Sequence, residues 1–277
     1  MTSLKSPTRA RFACASLLPV VLFTVSLGAQ TPANPSENEG HAHLHFSHPM
    51  VTESPSPDTK LRFDFVHLRS SGAIPAQVNE YRAEYEYGFT DALSLAFVVP
   101  YVSISSPASA RANGLGDIEL QLKGASFAWD EHGMLAGGGV SAGLPTGSDE
   151  KGIGSGHIYE IAPFVDIALR RGELETVAFL SFSSTFNERK AESRERSARL
   201  DASALFRVHP QIEILGEISS TRELNAAGGA NQETFLAPGL KWRPAKWTGL
   251  ALGVSALFGV GKMRDTSALQ FSAFYHF

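Results

Sequence analysis

The chain has 277 residues, a formal net charge of -4 and 43% hydrophobic residues. That length suits one large domain or two small ones, and so mild a charge excludes a nucleic-acid or strongly charged partner as the organising feature. Beyond the N-terminus no stretch reaches the roughly 18 to 20 apolar residues that a spanning helix needs.

Lys5, Arg9 and Arg11 precede the apolar run FACASLLPVVLFTVSLGA, which closes on the small residues Gly28 and Ala29. This layout predicts a secretory signal peptide over residues 1–29, cleaved after Ala29 or after Gly28. A membrane anchor is the competing reading, but the run is short and Pro19 interrupts it. Cys14 lies ahead of most of the run, which argues against a lipoprotein anchor. Cleavage also removes the only cysteine, so the exported protein has no disulfide to form.

Residues 30–58, QTPANPSENEGHAHLHFSHPMVTESPSPD, are rich in Pro, Ser, Asn, Glu and His. Such composition builds no core and predicts a periplasmic tail. Within it His41, His43, His45 and His48 fall in eight residues, and His41, His43 and His45 share one side of an extended chain. Neutral imidazoles suit Zn, Cu or Ni, and a His-rich tract is a metal-binding composition. Glu37 and Glu39 offer oxygen ligands. The plainer alternative is a tail whose histidines bind nothing definite, or pack in the mouth of the domain that follows.

From Lys60 the texture changes to period-two alternation, which predicts about twelve strands. They are expected at 60–68, 78–89, 92–104, 116–126, 134–144, 158–169, 175–186, 198–208, 211–220, 233–243, 248–259 and 267–277. Most are longer than the usual 5 or 6 residues. Connections after even-numbered strands are short, such as TD (90–91) and HP (209–210). Those after odd-numbered strands are long and polar, such as SPASARANGL and PTGSDEKGIGSGH. Short turns at one end and long loops at the other predict an all-β, antiparallel transmembrane barrel over residues 59–277, with outer-membrane lipid as its surroundings. A soluble sandwich would also alternate, but needs neither such long strands nor such asymmetric loops. Trp129, Trp242 and Trp247 all fall beside short turns, where an interfacial girdle places aromatics.

Alternation then assigns faces. Tyr81, Ala83, Tyr85, Tyr87 and Phe89 face lipid, against Glu80, Arg82, Glu84 and Glu86 in the lumen. The same parity sends Arg62, Asp64, Asp117, Glu119, Lys123, Glu160, Asp166, Arg199, Asp201, Arg207, Glu213, Glu217 and Lys241 inward. In the last strand Leu269, Phe271, Ala273, Tyr275 and Phe277 make the lipid face. That strand resembles the C-terminal signal recognised by the barrel-assembly machinery, and it is expected to close the barrel against the first.

The stretches GLGDIELQLK (114–123), GVSAGLPTGS (139–148), IAPFVDIAL (161–169) and TFLAPGLKWRP (234–244) resemble the outer-membrane family named for the meta-pathway of phenol degradation. The resemblance spans residues 50–277. It implies an outer-membrane transporter of small, aromatic or hydrophobic solutes, and no catalytic residues. The residues themselves argue for no catalysis either: the nearest pair, His67 and Ser70, lies three apart on a strand and so on opposite faces. No cofactor is required. The expected function is a channel for small solutes, either open and cation-leaning or shut by a salt-bridged lumen. The alternative is a metal-binding protein whose histidine tail captures Zn, Cu or Ni while the barrel anchors it.

Overall fold

The structure, a computed structural model, describes residues 44–72, 75–107, 109–187, 195–224 and 231–277. The signal peptide, His41 and His43 lie outside the described residues.

Among the described residues thirteen strands form one antiparallel sheet: β1 (Lys60–Ser70), β2 (Ala76–Thr90), β3 (Leu93–Ser106), β4 (Ser109–Leu115), β5 (Ile118–Trp129), β6 (Met134–Leu144), β7 (Ile158–Arg171), β8 (Leu174–Asn187), β9 (Arg196–His209), β10 (Ile212–Glu223), β11 (Gln232–Trp242), β12 (Leu250–Val260) and β13 (Thr266–His276). Consecutive strands pair, except that β4 and β5 both lie on β3, and β1 pairs with β13 from Lys60↔His276 to Ser70↔Thr266, which closes the ring. β4 and β5 are one stave broken at Gly116–Asp117, because both pair with β3. The barrel therefore has twelve staves. No backbone edge is left open to lipid, where an unpaired N–H or C=O has no water to bond.

Period two also fixes which side of each strand meets lipid. In β13 Leu269, Phe271, Tyr275 and Phe277 are exposed, while Ala268, Gln270, Ser272 and Phe274 are buried. β2 follows the same rule, with Tyr81, Tyr85 and Tyr87 outward and Glu84 and Glu86 inward. The three tryptophans are exposed at the short-turn end. That end is the periplasmic one in outer-membrane barrels.

Two local departures have physical causes. The stretch SPASARANGL, expected as a loop, is mostly strand: β4 continues the wall by pairing with β3 from Tyr101↔Leu115 to Ser106↔Ser109. Gly116 keeps the ladder going by donating to the Pro100 carbonyl at 2.9 Å. The tight turn between β9 and β10 carries a register shift at Ile212/Glu213. Such a bulge lets a very short turn join two long strands.

At the break between β4 and β5, Asp117 accepts the N–H groups of Gly147 at 2.9 Å and Ser155 at 2.7 Å. Thr146 Oγ1 accepts the Ile118 N–H and donates to the Gly116 carbonyl. GLGD (114–117) and GLPTG (143–147) thus meet in one corner, which ties the 145–157 loop to the wall and buries Ile153.

Candidate functional site: a segment seated in the lumen

Residues 44–58, expected as a tail, pack in the mouth of the barrel, the arrangement named above as an alternative. This segment runs inside the barrel at the short-turn end, in contact with staves all around the ring. Phe46, His48, Met50, Thr52, Ser54 and Ser56 are all buried. The reason is hydrogen bonding. An extended segment outside a sheet must find partners for its own backbone, and here charged wall side chains supply them.

Carboxylates accept the N–H groups. Glu175 takes Ser47 at 2.8 Å, and Glu86 takes Asp58 at 3.2 Å. Glu217 takes Met50 at 2.9 Å, Val51 at 3.0 Å and Thr52 at 2.8 Å. Cations cover the carbonyls: Arg170 donates to His45, Lys241 to His48, Arg62 to Met50 and Arg199 to Val51. Gln270 adds a bond to the Met50 carbonyl at 3.0 Å. Pro49, Pro55 and Pro57 bring no N–H, so the segment has fewer donors to satisfy.

Two apolar anchors complete the seat. Phe46 packs with Leu135, Ala168 and Val177, beneath the Arg170 guanidinium at 4.9 Å from the ring centre. Met50 packs with Leu205 and Leu215. Gly253 makes room for it, since a Cβ there would lie 2.8 Å from the Met50 Sδ.

Below the segment lies a buried ion network. Lys60 pairs with Glu86, and with Glu84 at 3.2 Å; Lys123 pairs with Glu86 at 3.0 Å and with Glu53 at 2.9 Å. Burial would raise the Glu53 carboxyl, but Lys123, with Lys60 and His48 beyond, overrides it and holds the group below the carboxylate range. A depressed acid stabilises the seat fully above its unfolded value of about 4.3, and loses that contribution as pH falls through the folded value. Acidification below about pH 4 should therefore loosen the segment. The check is hydrogen exchange of the segment's amides against pH, with Glu53→Gln flattening part of the response.

The predicted lumen residues divide by depth. Arg62, Asp64, Glu84, Glu86, Lys123, Asp166, Asp201, Glu213, Glu217 and Lys241 are buried. Glu80, Arg82, Asp117, Glu119, Glu160 and Arg199 are partly open and border a cavity of about 510 Å³ above the segment, floored by Met50, Val51 and Glu53. Arg207 is exposed at the short-turn end, 3.6 Å from Glu213. Seven carboxylates border the cavity against three guanidiniums; two of the seven, Glu53 and Glu84, are paired with Lys123 and Lys60, so the lining remains acid-rich. Alternation also reaches Lys60, Glu175 and Gln270, which the sequence reading left out. Nothing in the sequence singled out Phe46 or Met50.

The histidine cluster is divided and recombined. His45 Nε2 and His48 Nε2 lie 2.7 Å and 2.6 Å from Asp58 Oδ2, and His276 Nδ1 lies 3.2 Å from the same oxygen. The four side chains gather where the segment leaves the barrel beside the end of β13. His276 is held there by Gly249, which accepts its N–H at 2.9 Å from a φ of 90° that favours glycine. Burial, then Lys60, push the His48 imidazole well below its ordinary value, so it is neutral at neutral pH. Burial would raise the Asp58 carboxyl, but hydrogen bonds from the three imidazoles outweigh it and hold the group ionised. His67, on the far half of β1, is engaged by Asn79 at 2.6 Å and Arg69 at 2.8 Å.

No protein-family model and no curated protein matches the chain. Solved structures do. An outer membrane channel from Pseudomonas putida F1 aligns with a TM-score of 0.61 at 14% identity, covering 80% of this chain and 96% of that one. The NanC porin aligns at 0.53 with 12% identity, over 78% of this chain and all of that one. A KdgM porin in complex with disordered oligogalacturonate aligns at 0.52 with 11% identity, covering 78% and 99%. The chain thus has the closed antiparallel β-barrel fold that these outer-membrane channels and porins share.

Proposed function

We propose that the barrel is a gated channel for small solutes, with residues 44–58 as the closed gate at its periplasmic mouth. The observation that carries this reading is the cup: a charged cavity of about 510 Å³ whose floor is the seated segment rather than the wall. A floor made of a separate strand of chain can leave, whereas wall side chains cannot. The fold that it shares with channels and porins supports the same reading. Among solutes, small polar cations suit the acid-rich lining best. The aromatic solutes implied by the family resemblance find one supporting surface, Phe179 on the wall with Phe164 behind it at 5.2 Å. Strand β13 and its exposed Phe277 serve as the handle for the barrel-assembly machinery in this account.

Ion selectivity tests it. In a salt gradient the open barrel should show a reversal potential of cation-preferring sign. Glu80→Gln with Glu160→Gln should reduce that preference and leave the barrel folded. An anion-preferring barrel would overturn the proposed solute class.

A further inference from the structure

We infer that His45, His48, Asp58 and His276 form a binding site for a divalent transition-metal ion, Zn²⁺ foremost, which clamps the lumen segment to the closing strand. Their ligand atoms all lie within 4.8 Å of one another. Three imidazole nitrogens and one carboxylate oxygen, without thiolate, are a donor set suited to Zn, Ni or Cu, and four such ligands suit tetrahedral Zn²⁺.

A second observation points the same way. All three rings crowd on the single oxygen Asp58 Oδ2, at 2.7, 2.6 and 3.2 Å. One carboxylate oxygen has only about two lone-pair sites, so three nitrogens exceed what it accepts well. A central cation with bonds of about 2.0–2.1 Å would set the four ligand atoms about 3.3 Å apart: the Asp58 oxygen would back away from the three nitrogens, and ligand atoms now up to 4.8 Å apart would draw together.

The ligands are held by contacts that do not involve one another. Arg170 binds the His45 carbonyl, Lys241 the His48 carbonyl and Glu86 the Asp58 N–H. A ring that ligates through Nε2 carries its proton on Nδ1. In His48 that atom is 3.4 Å from Lys60, which then turns fully to Glu84 and Glu86, its existing partners. A recess of about 430 Å³, bordered by His45, His48, Trp247 and His276, gives an ion a way in. His45 is half exposed at its rim.

The binding claim is independent of the channel proposal; only the consequence that metal would hold the gate shut rests on it. The test uses the refolded mature chain in detergent, stripped with chelator and titrated with Zn²⁺ alone. One equivalent should bind. His276→Ala should weaken binding more than about 100-fold, since even second-shell changes cost about 10- to 100-fold. His41→Ala with His43→Ala should leave it nearly unchanged. Absence of a one-equivalent site, or loss with the His41/His43 pair but not with His276→Ala, would overturn the inference. Substituting Co²⁺ into the unaltered chain gives a readout that needs no variant. Intense tetrahedral d–d bands support the site, and weak octahedral ones sink it. Gating is then read separately, as conductance with and without Zn²⁺.

Discussion

A chain of residues 59–277 should assemble into the same barrel and carry steady current where a chain of residues 30–277 is nearly silent. The wall does not depend on the segment for its hydrogen bonds, because every stave pairs on both sides and β1–β13 closes the ring. What the segment does fill is the short-turn end, where Phe46 and Met50 are wholly buried. Burying two such side chains contributes roughly 1.5–3 kcal/mol each, in addition to the backbone bonds. Deletion returns Glu86, Glu175, Glu213 and Glu217 to a wet lumen, which costs the barrel little, since charge in a water-filled lumen is ordinary for porins. Planar-bilayer recording checks the current, and heat-modifiable migration checks the fold. Silence in both chains would mean a lumen closed by its own wall and would end the gating proposal. A large steady current from the full chain would show that the segment does not seal.

The second large effect is expected from Glu217→Gln. One side chain holds three consecutive N–H groups of the segment, two of them, from Val51 and Thr52, on Oε2. The amide keeps one acceptor, which stays with Val51 and Thr52 while its NH₂ turns toward the Met50 N–H. Hydrogen bonds to a charged group are worth roughly 1.5–3 kcal/mol each, so the one lost costs about 2 kcal/mol. That shifts the seated-to-free ratio about 30-fold. Limited proteolysis reads the shift directly, since a freed segment with Phe46 and Met50 exposed is a substrate and a seated one is not. Cleavage no faster than in the parent chain would show that the carboxylate is incidental to seating.

Much of this architecture was legible in the chain. Tyr81, Tyr85 and Tyr87 face lipid and Glu84 and Glu86 face the lumen because a strand's side chains alternate whatever its neighbours are. The twelve staves followed from that period and from the contrast between short turns, such as TD (90–91), and long loops, such as 145–157. The strand over 109–115 reads as loop because SARANGL lacks the alternating apolar positions that mark a strand.

The gate and the histidine cage belong to the tertiary structure. Residues 44–58 have no period, and their composition reads as tail because it lacks an apolar core. They are ordered by Glu175, Glu217, Lys241 and Gln270, all more than a hundred residues away in the chain. His45 and His48 announced themselves as a cluster, but their partner His276 occupies an inward position of the last strand and becomes a neighbour only when β13 closes on β1. Sequence alone determined the wall, because face and span are local properties of a strand. Only the closed ring decided what fills it, because a lumen brings together side chains that no local pattern connects.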